Sequence, residues 1–279
     1  MAEPAAPSGP ARENEPPPAP EPLRAETVDA HCHLDAMAVP VDGALAAAQA
    51  VGVRRVVTVG DTMQSSRWCA QTAAAFDDVF AAVAVHPNEV GDFSDSDAAE
   101  LAELVALPQV RAVGETGLDY YWGRVDPAVQ QQAFRTHIDI AKQLGKALVI
   151  HDRDAHADVL RVLDEVGAPE HTVFHCFSGD ISMSRYCAER GYVLSFAGTV
   201  SFKNAAALRE AASVVPLELM LVETDAPFLT PVPYRGRPNA PYLIPLTVRA
   251  LAQLKGVDEV AIADATRVNA ERVFGLPQR

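Results

Sequence analysis

From residue 27 onward, short β-branched runs alternate with alanine-rich stretches of helical period. The apolar runs predict strands at 28–34, 54–60, 79–86, 110–118, 147–151, 172–177, 192–197 and 219–224. Apolar positions at helical spacing fill the intervals, near 42–51, 64–75, 96–106, 126–144, 155–166, 181–190 and 204–213. Two more helical patterns follow, near 243–255 and 258–274. Strands separated by helices of this length argue for parallel βαβ units. Repetition on this scale, over about 250 residues, fits a closed α/β barrel of the (β/α)8 TIM type better than an open doubly wound sheet. An open sheet would carry a Gly-rich phosphate loop after its first strand. Here the first strand ends in His31-Cys32-His33 instead.

The stretch ahead of the alternation has a different composition. Residues 1–26 hold eight of the 21 prolines and almost no large apolar side chains. Such a segment buries too little surface to offset its ordering entropy, so a disordered tail is expected, one whose removal leaves the fold intact. It lacks the basic start and apolar stretch of a secretory signal. A single barrel domain is expected over 27–279. The whole chain carries a formal net charge of −14. That balance excludes a broad basic face for coating duplex DNA, and any nucleic-acid contact must be local. Cys32, Cys69, Cys176 and Cys187 form no C-x-x-C pair, which reads as scattered free thiols in an intracellular, cytoplasmic enzyme. No apolar run approaches the roughly 18 residues of a membrane span.

Polar residues fall where a barrel places its chemistry, at the carboxyl ends of the strands. His31 and His33 close the first predicted strand, His86 the third, and Glu115 and Asp119 the fourth. His151 and Arg153 close the fifth, His175 the sixth, and Glu223 and Asp225 the eighth. Alternation along a strand points His31 and His33 the same way and Cys32 the other. An H-x-H pair can therefore aim two imidazoles at one cation. Imidazole with carboxylate suits Zn²⁺ or Mn²⁺, and bridging carboxylates also admit Mg²⁺. Cys32 and Cys176, each following a candidate histidine, are expected to face away.

These residues sit in motifs that resemble those of the TatD-type metal-dependent deoxyribonucleases. Asp29-Ala30-His31-Cys32-His33-Leu34-Asp35 resembles the opening D-x-H-x-H-L-D of that family. Gly114-Glu115-Thr116-Gly117-Leu118-Asp119-Tyr120-Tyr121 is similar to its G-E-x-G-L-D-Y/F signature. So are the helix from Gln131 through His137 into His151-Asp152-Arg153, and the stretch from Val173 to Gly179. Glu223-Thr224-Asp225-Ala226-Pro227 and the Arg235-Gly236-Arg237-Pro238-Asn239 loop complete the resemblance, which spans about 28–274. Ala240 departs from it, standing where an acid is common.

The resemblance implies a metal-dependent hydrolase barrel holding two divalent ions, Mg²⁺, Mn²⁺ or Zn²⁺. His31, His33, Glu115 and Asp225 would hold one ion; Glu115, His151 and His175 would hold the other, with Glu115 bridging. It implies cleavage of DNA phosphodiester bonds by a metal-activated water, as a 3′–5′ exonuclease on single strands, with Asp225 and Glu115 catalytic. His86, Arg153, Arg235 and Asn239 are expected to contact the nucleic acid, and Tyr120, Tyr121 and Trp122 to stack a base or pack the rim. His137, beside Phe134 and Ile138, reads as a packed helix residue. A monomer is expected.

Three rival readings differ in class. An amidohydrolase shares the barrel and the H-x-H, but many use a carbamylated lysine as the bridge. Of Lys142, Lys146, Lys203 and Lys255, none ends the fourth or fifth strand. A deacylase of D-aminoacyl-tRNA would need the same metal pair. A binding protein retaining a metal site is disfavoured by the complete ligand set.

Overall fold

The computed structural model describes residues 15–278. Eight strands form one parallel sheet in chain order: β1 (Thr27–Cys32), β2 (Val53–Val59), β3 (Val79–Val83), β4 (Val110–Asp119), β5 (Ala147–Arg153), β6 (Thr172–Phe174), β7 (Val193–Phe196) and β8 (Met220–Val222). Helices α1 (Val41–Ala50), α2 (Met63–Ala75), α3 (Asp95–Val105), α4 (Pro127–Leu144), α5 (His156–Val166), α6 (Ile181–Glu189) and α7 (Ala206–Val214) run between them. α8 (Ile244–Lys255) and α9 (Glu259–Val273) follow. This is the (β/α)8 barrel that the alternation predicts.

Period-two patterning sorts each strand into two layers. Val57, Phe80, Ala82, Ala147, Val149, Val173, Val193 and Leu221 share one buried cluster, which fills the barrel. Val56, Ala81, Val83, Leu148, Ile150, Phe174, Leu194 and Met220 belong to another, between sheet and helices. Because strands buried on both faces read as near-continuous apolar runs, all eight are visible in the sequence. In β5, β6 and β8 the inward parity carries straight on to His151, His175 and Glu223. β1 and β4 reach the same end differently: their registers shift between Asp29 and Cys32 and between Val113 and Thr116. Such irregularities re-aim side chains at barrel rims, and these turn His31 and Glu115 inward.

The barrel closes at its carboxyl end. Cys32 bridges Ala226, and His31 accepts the Asp225 amide at 2.9 Å. The Asp29 carboxylate accepts from the Thr224 amide at 2.9 Å and from its hydroxyl at 2.5 Å. Burial pushes the Asp29 carboxyl up to about 8 against these hydrogen bonds. Asp29 therefore joins the first strand to the last, directly beneath the chemistry.

Five predicted strands, at 28–34, 79–86, 172–177, 192–197 and 219–224, are longer than the observed ladders, the last of these and 172–177 for a backbone reason. β6 ends at Phe174 because Cys176 takes a left-handed backbone (φ 40), and β8 ends at Val222 ahead of a left-handed Asp225 (φ 56). The tail also differs from expectation. Of residues 1–26, the first fourteen lie outside the described residues, and 15–26 are laid along the barrel. Arg237 donates to the carbonyls of Glu15 (2.8 Å) and Pro16 (2.7 Å), and the Tyr242 hydroxyl to that of Pro17 (2.6 Å). Arg249 donates to the Glu21 carbonyl at 2.9 Å, and Leu23 is buried in the outer core. Proline-rich chain makes no internal hydrogen bonds, so its carbonyls are free to accept.

Truncation of 1–25 is accordingly expected to lower the melting temperature below that of a 1–14 truncation. Losing the Leu23 burial and these bonds costs about 3 kcal/mol, or roughly 6–12 °C for a domain this size. Differential scanning calorimetry of both truncations checks this; equal midpoints would show that the segment adds nothing.

Candidate metal centre

Four donor atoms converge at the mouth from β1, β4 and the turn after β8. His31 Nε2 and His33 Nε2 lie 3.3 Å apart, each 3.5–3.7 Å from Glu115 Oε2 and Asp225 Oδ1. These separations are too long for good hydrogen bonds. They match the roughly 3.4 Å edge of a tetrahedron of ligands about 2.1 Å from a cation. The other oxygen, Glu115 Oε1, faces His151 Nδ1 at 2.7 Å and His175 Nε2 at 2.8 Å. One carboxylate thus serves two imidazole pairs, one with each oxygen. The donor set fits two divalent ions sharing Glu115.

The histidines are held ready to ligate. His33 Nδ1 donates to the Val59 carbonyl at 3.0 Å, which leaves Nε2 free for a metal. His151 turns Nε2 to Asp119 Oδ2 and His175 turns Nδ1 to Glu223 Oε1, both at 3.0 Å. Carboxylates behind metal-binding imidazoles fix tautomer and ring orientation. Glu223 also accepts the Cys176 amide at 2.7 Å, holding the left-handed residue beside His175.

β4 is positioned by α4. Gln130 pins the Asp119 backbone, accepting from its amide at 2.8 Å and donating to its carbonyl at 3.0 Å. His137 Nδ1 pairs with the Thr116 hydroxyl at 2.6 Å on the outer side of the strand. His137 is wholly buried, which lowers it to about 3, so it packs as a neutral imidazole and plays no part at the mouth. Gly117 is required where β4 meets β5: at φ 134, a Cβ would collide with the His151 carbonyl.

The charges support one another. Burial works against ionising Glu115, but the imidazoles of His175, His151 and His31 outweigh it and hold the carboxyl well below its usual range. Burial likewise opposes charge on His33, yet Asp225 and Glu115 raise it to about 9. His31 is lowered by burial and by neighbouring His175. For His86 burial, with the neighbouring His151, outweighs the pull of Glu115 and Asp119 and takes it down to about 4.

All six expected ligands, His31, His33, Glu115, His151, His175 and Asp225, come together here. His86 lines the same cavity of about 680 Å³, its ring 4.4 Å from that of His151. Arg153 lines it too, its guanidinium 3.9 Å above the Tyr121 ring. Arg235 lies further out, over Phe202 at 4.4 Å. Asn239 does not face the cavity. It is buried, and its amide donates to the carbonyls of Thr224 (2.8 Å) and Phe228 (2.6 Å). The expected substrate contact at Asn239 is therefore corrected to a brace for the turn that carries Asp225.

Cysteine orientation needs one correction. Cys32 faces the outer core as alternation predicts, but Cys176 lies past the end of β6 and lines the cavity. Tyr120 is spent on Asp158 and Gln131 (both 2.8 Å), which leaves Tyr121 (55% exposed) and Trp122 (53%) at the rim. Phe228, 55% exposed on the opposite lip, continues the Glu223–Pro227 motif and was assigned no role in the sequence. Nor was Asp119 given its role behind His151. The signal for it was its even spacing from Glu115 on one strand. Asp119→Asn is expected to weaken divalent-ion affinity by about 10–100-fold, measured by isothermal titration with Mn²⁺. Unchanged affinity would remove Asp119 from the site's support.

The TatD-related DNase family description matches residues 28–275, a span containing the barrel and the whole donor cluster. The chain belongs to this family. By family it is a metal-dependent hydrolase. Among similar TatD proteins is one from Mycobacterium tuberculosis, described as an uncharacterized metal-dependent hydrolase. It is 50% identical, the match covering 89% of this chain and 98% of that protein. A Citrobacter rodentium protein named 3′-5′ ssDNA/RNA exonuclease TatD is 32% identical, over 84% of this chain and 92% of its own length. The crystal structure of YjjV, a TatD homologue from Escherichia coli, superposes with a TM-score of 0.84 at 26% identity. It covers 90% of this chain and 98% of that one. As in the sequence-based reading, no lysine enters the TatD site here. Lys142, Lys146 and Lys255 are tied to backbone carbonyls elsewhere. Among the described residues no helix is long and apolar enough to cross a membrane.

Proposed function

We propose that this chain hydrolyses DNA phosphodiester bonds as a 3′–5′ exonuclease acting on single strands, with two divalent ions sharing Glu115. The division of the Glu115 oxygens between His31/His33 and His151/His175 carries this reading, because paired ions suit in-line displacement at phosphorus. Ions held there would supply Lewis acidity to the phosphoryl group and lower the pKa of water.

The chain's own groups supply the rest. Asp225 lines the cavity, kept ionised against burial by the neighbouring imidazoles of His33, His175 and His31. A carboxylate in that state can orient the attacking water and take its proton. His86 accepts the Asn88 amide on Nδ1 at 3.1 Å, so neutral His86 offers Nε2–H to a phosphoryl oxygen. Arg153, fixed by the Tyr121 ring, meets a second oxygen as a flat, permanently charged donor. Phe228 and Trp122 wall the cavity on opposite sides, where an unpaired terminal base has room to stack. An intact duplex has no comparable way into a barrel mouth.

A 5′-labelled oligonucleotide incubated with Mg²⁺ or Mn²⁺, beside its duplex and a D-aminoacyl-tRNA, tests the reading. A ladder shortening from the 3′ end is expected, faster on the single strand. Release of the amino acid with the oligonucleotide untouched would replace it with the deacylase reading.

A further inference from the structure

A second cavity, of about 740 Å³, opens just outside the mouth. It is built from the same two loops as the first. Thr199 and Leu229 line the inner cavity, while Val200, Phe202, Lys203 and Val232 line the outer one. The loops are locked together: the Val232 amide donates to Ser201 Oγ at 2.9 Å, and a Cβ on Gly198 would strike the Leu229 carbonyl. A chain leaving the inner cavity over this lip runs directly into the outer groove.

The groove's charge is opposite to that of the molecule. In a chain with 37 acids and 23 bases, its lining contains Lys203, Arg209 and Arg249 and no aspartate or glutamate. Arg209 is spent on the carbonyls of Val200 and Phe202, and Arg249 on Glu259 and the tail. Lys203 remains, and Arg235 adjoins the groove over its lining residue Phe202. Both are exposed, and neither makes a side-chain hydrogen bond or ion pair among the described residues. Several other surface arginines are paired with acids, as in Arg54–Glu26, Arg67–Glu100 and Arg135–Glu165. Arg235 also lies 4.4 Å over the Phe202 ring and is exposed to solvent.

We propose that this groove is an outer subsite for the polynucleotide strand whose end occupies the metal centre. Lys203 and Arg235 grip successive phosphates, and a base stacks on the Arg235–Phe202 pair. The inference rests on reading the mouth as a nucleic-acid site, and it adds where the uncleaved strand runs. It makes binding depend on substrate length, since a trinucleotide fills the inner cavity alone and a decanucleotide reaches both. Arginine planes and aromatic rings take unstacked bases without sequence preference.

The test uses fluorescein-labelled oligothymidylates of three and ten nucleotides, with a phosphorothioate at the 3′-terminal linkage to block turnover. Fluorescence anisotropy is read across a salt series for the metal-loaded protein and for the Lys203→Ala/Arg235→Ala variant. The decamer is expected to bind the parent protein at least about tenfold more tightly than the trimer. For the decamer, the variant's log–log salt slope is expected to be shallower by about 1.4, at about 0.7 per lost phosphate contact. Neither side chain makes a hydrogen bond or ion pair among the described residues, so the variant should melt close to the parent. Lys203→Glu alone gives an independent loss of decamer affinity.

Equal affinity for both lengths, or an unchanged slope in the variant, overturns the outer subsite. So does competition by polyglutamate as effective as that by the decamer, which would mark a site for acidic polypeptide. Cleavage of unmodified oligonucleotides without length dependence would leave the nuclease reading standing and remove this one. Length-dependent binding lost in the variant, with no cleavage by the parent protein, would do the reverse.

Discussion

Glu115→Ala is expected to abolish hydrolysis, lowering kcat/KM by roughly 10⁴-fold or more, the scale on which loss of a central catalytic group acts. Glu115 faces each imidazole pair with a different oxygen. Glu115 Oε2 lies 3.5–3.7 Å from His31 and His33, and Oε1 lies 2.7–2.8 Å from His151 and His175. Alanine removes both oxygens and leaves four imidazoles, three of them buried, without their central counter-charge. Divalent ions then lose a shared ligand, and the histidines gain a reason to repel. Metal content measured by mass spectrometry should fall together with turnover. Most of the activity surviving, with metal content intact, would defeat the bridging assignment. Glu115→Gln separates charge from shape: it keeps the volume, and it is expected to lose activity nearly as completely.

Asp225→Asn is expected to cost about 10²–10⁴-fold, the range for loss of a general base, and to do so in kcat more than in KM. Asparagine is the informative replacement for a backbone reason. Asp225 is left-handed (φ 56), a conformation that Asn tolerates and Ala resists. The amide keeps an oxygen toward His31 and His33 but cannot take a proton. The turn stays held by the Asp225 amide on His31 and by the Asn239 bonds to Thr224 and Phe228. Stopped-flow single-turnover kinetics on a labelled oligonucleotide checks this. A KM effect with unchanged kcat would assign Asp225 to binding alone.

Legibility followed the physics of each element. The eight strands could be read because burial on both faces gives continuous apolar runs, and the candidate ligands because they stand at strand ends in even spacing. Alternation placed Cys32 correctly since it belongs to a ladder. It failed for Cys176, where the backbone turns left-handed, a state that cysteine does not announce. Asn239 was misjudged because polarity in a loop looks the same whether an amide serves a ligand or its own backbone. The tail was misjudged for a related cause. Its order comes from Arg237, Tyr242 and Arg249 reaching out to carbonyls, and composition registers only side chains that bury themselves. Phe202, Lys203 and Phe228 became visible only when two loops were seen side by side.

The segment at Glu15–Glu26 means that the unit shared with relatives is smaller than the unit that folds. The family match begins at residue 28, beyond Leu23 and beyond every carbonyl that Arg237, Tyr242 and Arg249 hold. A gene trimmed to that homology boundary would encode the complete donor cluster and still yield a chain with three orphaned donors and an open seam in its outer core. Expression designs for this protein should therefore begin no later than Glu15, with any purification tag placed ahead of it.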